Sequence, residues 1–207
     1  MDPLGQLIAW SAEYGLLGVF LVAFSERVVP IFPSYAILVA VGIASHSGAW
    51  SAPAGLVAAV AGSYVGGSIY YLMAVSVPAE RATRFLVRFA LLFGTSSARV
   101  ESLIHYFRAN QSALSFTSQL VPTIRLVAPA IAGLLKVRPG PFALASGVGV
   151  AIWNGLFFLI GYVCAAYSFA GNITTLALEV MIILMVSETI AFFIWRRWRR
   201  TRLAEHR

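Results

Sequence analysis

Charged residues are scarce along this chain and fall in clusters. From Val28 to Ala79 no Asp, Glu, Lys or Arg occurs. Four stretches, about 7–25, 54–78, 142–166 and 174–195, stay apolar for the roughly 20 residues needed to cross about 30 Å of hydrocarbon. Two more apolar stretches, about 26–47 and 111–135, are broken by prolines and polar residues. Between the halves the period changes. Phe85, Leu86, Phe89, Leu92 and Phe93 recur at helical spacing with arginines opposite, and Ser97 with Glu101 marks a second helix start. Segment 79–110 therefore predicts two amphipathic helices lying on a membrane surface. The predicted fold class is an all-α polytopic membrane protein forming one domain.

Composition supports that class. The chain has 207 residues, 59% of them hydrophobic and only 11% charged, with a mean hydropathy of +0.82. Soluble domains carry about 25% charged residues. The start, "MDPLGQLIAW", has no basic leader followed by a small-residue cleavage site, so a cleaved signal is not expected. The single cysteine, Cys164, excludes an internal disulfide and is expected to be buried and inert.

The net charge of +7 is uneven. Arg81, Arg84, Arg88, Arg99 and Arg108 share the central segment, and Arg196, Arg197, Arg199, Arg200, Arg202 and Arg207 share the tail. Basic residues flanking membrane spans read as topology signals and contacts to anionic headgroups, and nucleic acid is not an expected partner. They also constrain the path of the chain. If 111–135 crossed the membrane, Lys136, Arg138 and the arginine tail would lie outside. If it enters and returns, the central segment, the Lys136 loop and the tail are all cytoplasmic. The second arrangement satisfies every basic cluster. Treating 26–47 in the same way puts both termini in the cytoplasm and gives the halves opposite orientation. The expected architecture is thus two oppositely oriented re-entrant hairpins packed with about four spanning helices, an inverted repeat. Irregular backbone at membrane depth is tolerated only where protein or a water cavity covers it.

Two segments could carry chemistry. The first is "SERVVPIFPS", with Glu26, Arg27, Pro30 and Pro33; the second is "FTSQLVPTIRLVAPAIAG", with Gln119, Pro122, Arg125, Pro129 and Gly133. Proline removes a backbone donor and clashes with the preceding turn, so Pro30, Pro33, Pro122 and Pro129 should break each segment. Arg125 is the only formal charge between Arg108 and Lys136. A charge at the bilayer centre costs about 2.5–3.5 kcal/mol on insertion scales, so it needs a partner or a cavity. Glu26 is the candidate partner if the hairpins meet. Such a carboxylate could exchange a proton, and an arginine fork suits a phosphate. The plainer alternative has Glu26 and Arg27 at a membrane interface and Arg125 paired with a carbonyl. Gly62, Gly66 and Gly133 read as helix-packing positions, because small residues let helices approach closely in lipid.

These residues resemble the DedA family, also called SNARE-associated or VTT-domain proteins, from about Leu16 to Tyr162. The family pattern places Glu before a Pro-x-x-Pro-like hairpin, then G-x-x-x-G-x-x-x-x-Y. A Phe-x-x-Arg-x-x-Pro-x-x-Arg segment ending in Ala-Gly follows, then a Trp-containing helix. The matching positions are Glu26, Pro30 and Pro33; Gly62, Gly66 and Tyr71; Phe116, Pro122, Arg125, Pro129, Ala132 and Gly133; and Trp153. The resemblance implies an all-helical fold with two opposed re-entrant hairpins. It also implies movement of lipids across the bilayer, undecaprenyl phosphate or phospholipids among them, with the proton motive force involved. Two departures stand out. Tyr35 occupies the place where the family often holds a second acid, and Gln119 aligns with the family's first hairpin arginine. One acid and one base are lost together, and Arg27 could supply a replacement positive charge.

His46 reads as interfacial. Glu188, inside the last apolar stretch, is outside the family pattern; it is a functional candidate or pairs with a polar group on a neighbouring helix or subunit. The expected partners are membrane lipids with a phosphate headgroup and protons, and a homo-oligomer is compatible with the chain. No metal, cofactor or catalytic residue is expected. The leading function is a flippase or scramblase in the cell (inner) membrane. The alternatives are a proton-coupled transporter of a small solute or ion, and an embedded enzyme acting on lipid phosphate.

Overall fold

The computed structural model describes residues 13–28, 34–92, 105–121 and 124–167, with isolated positions elsewhere. Among the described residues the regular structure is all helical. The elements are α1 (Leu16–Val28), α2 (Ser34–His46), α3 (Ala52–Val75), α4 (Ala79–Leu92), α5 (Gln111–Thr117), a 3-10 turn (Ser118–Leu120), α6 (Ile124–Leu134) and α7 (Pro139–Tyr167).

Length separates these helices into two kinds. Of the described helices, α3 with 24 residues and α7 with 29 are long and apolar enough to cross a membrane. At 1.5 Å per residue the 13 residues of α1 reach only about 20 Å. The expected continuous span over 7–25 is therefore corrected. The chain turns at Tyr14–Gly15, where Gly15 takes a left-handed φ of 56°, and only then enters α1. Glu26 and Arg27 belong to the last turn of α1 and do not begin a separate segment. The first helical pair is thus α1 with α2. Pro30, Pro33 and Pro122, expected to break their segments, lie outside the described residues, as do Glu188 and the basic tail. Pro129 does not break its segment: it sits within α6. Cys164 is only partly buried.

Side-chain contacts fix the directions of the helices. Tyr71 stacks on Phe142 at 4.0 Å between ring centroids, and Asn154 Nδ2 donates to Ser63 Oγ at 2.9 Å. Rising numbers on α3 meet falling numbers on α7, so the long helices are antiparallel. On α1, Phe20 lies against Gly62 and Arg27 against Gly66, so α1 runs parallel to α3. Gln111 meets Arg138, and Phe116 and Gln119 lie against Gly149, so α5 and the 3-10 turn run parallel to α7. The second arm of each pair crosses over: α2 packs on α7, and α6 packs on α3.

Glycine makes these crossings possible. A Cβ on Gly42 would collide with the Phe158 carbonyl oxygen, and one on Gly161 with the Val39 carbonyl oxygen. A Cβ on Gly133 would meet the backbone of Tyr71 and Val75. Without a hydrophobic drive between helices in lipid, such close backbone contact is a main source of association. The apolar core lies chiefly between α2 and α7, where Leu38, Val39, Ala40 and Val41 are fully buried.

The loop after α6 ties the second half together. Lys136, at φ 56°, donates through Nζ to the Val75 and Val77 carbonyls and so caps the C-terminal end of α3. Tyr71 donates to the Val137 carbonyl at 2.6 Å, and Arg108 Nε to the Leu135 carbonyl at 3.1 Å. The Arg138 N–H donates to Gln111 Oε1 at 3.0 Å. Segment 111–135 therefore begins and ends at one place. The central helix α4 keeps Arg81, Arg84 and Arg88 exposed while Leu86 packs beside Tyr71 and Leu135.

Candidate functional site

The inner ends of the two helical pairs meet in the middle of the molecule. The end of α1 brings Glu26 and Arg27, and the start of α2 brings Ser34. The 3-10 turn brings Gln119, and the start of α6 brings Arg125. Glu26 and Arg27 are each 3% exposed, Gln119 1% and Arg125 0%. Protein, and not open surface, surrounds Glu26 and Arg27.

Each guanidinium is held at one corner. Arg27 Nη1 donates to the Arg125 carbonyl at 3.1 Å and to Gln119 Oε1 at 3.4 Å. Arg125 Nη1 donates to Ser34 Oγ at 3.0 Å. The Nε and Nη2 groups of both arginines have no hydrogen-bond partner among the described residues. Nε and Nη2 form the edge of a guanidinium that grips two oxygens of a carboxylate or phosphate. Among the described residues, nothing occupies that edge on either arginine.

Pro129 explains one of these contacts. A residue at position 129 of a regular helix would donate its N–H to the Arg125 carbonyl, four residues back. Proline has no N–H. The freed carbonyl accepts from Arg27 instead. The proline expected to break the segment acts as a supplier of a backbone acceptor, linking the two halves.

Glu26 does not make the expected ion pair with Arg125. Both carboxyl oxygens lack a hydrogen-bond partner among the described residues. The carboxyl nonetheless stands within electrostatic reach of Arg125 and Arg27, and beside Ser34 without completing a hydrogen bond to it. Trp153 of α7 stands under Arg125, its ring centroid 4.7 Å from the guanidinium carbon, a cation–π contact. Trp153 and Phe157 are 4.6 Å apart, and Phe157 and Tyr35 5.8 Å. Tyr35 therefore joins an aromatic row on α7.

A cavity of about 10 Å³ adjoins Arg27, lined also by Gln119, Ser63, Ser68 and Ser146 among others. It has room for about one water. Next to it Asn154 Nδ2 donates to Ser63 Oγ and to the Ala59 carbonyl, joining α7 to α3. Sequence reasoning missed Ser34, Ser63, Ser146 and Asn154 here, and gave Trp153 no role. A signal existed: these four polar residues interrupt otherwise apolar helices. The packing residues Gly62 and Gly66 set the site at one remove, since Gly66 leaves room for the Arg27 side chain. His46 is exposed, edge-on to Tyr162 at 5.2 Å.

Helical structure throughout the described residues, two helices long and apolar enough to cross a membrane, and buried arginines where short helices meet fit a helical membrane protein with an internal polar site. The VTT domain model matches residues 32–163, and the chain belongs to that family, the DedA family. It is 25% identical to undecaprenyl phosphate transporter A of Staphylococcus aureus over 72% of this chain and 74% of that one. An uncharacterized membrane protein of Synechocystis is 28% identical over 79% and 71% of the two chains. An alkaline phosphatase-like protein of Lactococcus lactis is 24% identical over 72% and 70%. No solved structure matches the chain.

Proposed function

We propose that this protein carries a phosphate-bearing lipid, such as undecaprenyl phosphate or a phospholipid, across the cell membrane as a flippase or scramblase. The observation that carries the reading is the pair of guanidinium edges on Arg27 and Arg125, buried together and without a hydrogen-bond partner among the described residues. The name of the Staphylococcus relative points to the same substrate class. The α1–α2 and α5–α6 pairs are read as re-entrant hairpins entering from opposite faces. The antiparallel α3 and α7, and the meeting of Gln111 with Arg138, support this. Glu26 is the candidate proton carrier, through which the proton motive force would act. Gln119 and Tyr35 complete the polar and aromatic walls.

A second reading is a proton-coupled transporter of a small solute or ion, favoured by the small size of the polar cavity. Reconstitution in liposomes separates the two. Wild type, Glu26→Gln and Arg125→Ala are compared with labelled lipids, with and without a pH gradient. Wild type should move lipid, Arg125→Ala should not, and Glu26→Gln should lose the response to the gradient. Folded wild type that moves no lipid under any gradient sinks the lipid reading. Chemical change in the lipid would point to an enzyme.

A further inference from the structure

The cavity beside Arg27 gathers side chains from five elements. Arg27 comes from α1, Ser63 and Gly67 from α3, Gln119 from the 3-10 turn, Pro129 from α6 and Ser146 from α7. Its polar walls are shut away from the surface: Ser63 is 0% exposed, Gln119 1%, and Arg27 and Ser146 3% each. A buried polar group without a partner is costly, and one water with two to four polar partners removes that cost.

Donors and acceptors both line this space. Ser63 Oγ accepts from Asn154 Nδ2 at 2.9 Å, and no acceptor for its own proton is present among the described residues. Arg27 Nε and Nη2 likewise lack partners there. Ser146 Oγ donates to the Phe142 carbonyl at 2.6 Å, which leaves its oxygen open to a donor. Gln119 Oε1 takes one bond from Arg27 Nη1 at 3.4 Å and has a second lone pair. A cation in this space would face a guanidinium, and an anion would face two oxygens. Water both accepts and donates.

Gly67 borders the same space. A Cβ on Gly62, Gly66 or Gly133 would come within 2.8 Å or less of a neighbouring helix. One on Gly67 would meet only Pro129 Cγ, at an ordinary 3.6 Å. Gly67 therefore does not serve close helix packing as the others do.

We infer that this cavity is a site for one structural water. The water accepts from Arg27 and from the Ser63 hydroxyl, and donates to Gln119 Oε1 and Ser146 Oγ. It thereby joins the first half of the chain, through Arg27 and Ser63, to the second, through Gln119 and Ser146. Its role is to steady Arg27 where the halves meet, and the inference is independent of what the protein carries.

The test exploits Gly67. Gly67→Ala puts a methyl at the cavity wall, and Gly155→Ala makes the same exchange where a Cβ meets nothing within 4 Å. Their unfolding temperatures are compared in detergent. A methyl that displaces a water strands buried donors, so Gly67→Ala should unfold about 3–8 °C below Gly155→Ala. A methyl entering a dry gap instead adds contacts, so a Gly67→Ala protein at or above Gly155→Ala overturns the water site. Gly67→Ser brings a hydroxyl to the same place, able to donate and accept as the water does, and should recover most of the loss. If Gly67→Ser is no more stable than Gly67→Ala, bulk and not hydrogen bonding explains the loss, and the site is again overturned. A crystal structure of the wild-type protein needs no variant to fold. At a resolution that shows ordered water, it should hold one density peak within about 3.2 Å of both Ser63 Oγ and the Arg27 guanidinium. A well-ordered cavity with no peak between them overturns the inference.

Discussion

The two halves of this protein share a plan and differ in charge. Each runs a short helix, a second short helix and a long one, and each seats a side chain against a glycine on its own long helix. The first half ends α1 with Glu26 and Arg27, a balanced pair. The second half brings Gln119 and Arg125, an uncompensated cation. Neither end satisfies itself. Arg27 relies on a carbonyl of α6, and Arg125 relies on Ser34 of α2 and Trp153 of α7. Repetition of the backbone supplies a meeting point, while the difference in side chains supplies the chemistry there.

The comparison can be broken most severely from the second half. Arg125→Ala removes a fully buried cation and leaves Glu26 with Arg27 alone. Loss of a two-oxygen grip should slow lipid movement by about 100-fold, since each hydrogen bond to a charged group is worth about 1.5–3 kcal/mol. Movement within about threefold of wild type in reconstituted vesicles would show that the halves do not need this charge.

Next in size is the fit between α1 and α3. Gly62→Val forces a side chain into the Phe20 carbonyl and should cost about 1–3 kcal/mol, read as a lower unfolding temperature in detergent. Gly155→Ala, where a Cβ meets nothing within 4 Å, should leave that temperature unchanged. Equal effects would mean that close helix approach is not what sets the fold.

Trp153→Leu sharpens the contrast between the arginines. It withdraws a cation–π contact worth about 0.5–2 kcal/mol from Arg125 and none from Arg27. Headgroup affinity should fall about threefold to tenfold, with Trp153→Phe intermediate. An equal loss in the Trp153→Phe variant would argue for simple packing.

The smallest expected effect comes from Pro129→Ala. The restored N–H competes with Arg27 for the Arg125 carbonyl. Helix α6 should gain stability while lipid binding weakens by about threefold, the scale of a shared neutral hydrogen bond. Stronger binding in this variant would refute the view that proline frees an acceptor for the opposite half.

Much of this was legible before any fold was seen. Charge scarcity and run length marked the membrane class, and the spans expected at 54–78 and 142–166 correspond to α3 and α7. Glu26, Arg27, Gln119 and Arg125 could be singled out because a charge or amide next to a proline-broken apolar run demands a reason. Boundaries were less legible. Hydropathy cannot see a single left-handed glycine, so the turn at Gly15 was missed and α1 was assigned to a longer span. Pro129 was read as a break because the rule for helix interiors ignores a partner that reuses the freed carbonyl.

By itself the sequence determined that this chain must fold in lipid, and that its few buried charges need partners, because hydrocarbon solvates neither ions nor open backbone. Only the tertiary structure decided which partners they have. Arg27 and Arg125 stand 98 positions apart and touch through one carbonyl. That contact depends on helix direction and on glycine-sized gaps between helices. Neither has a local signature, because each is set by surfaces contributed from distant parts of the chain.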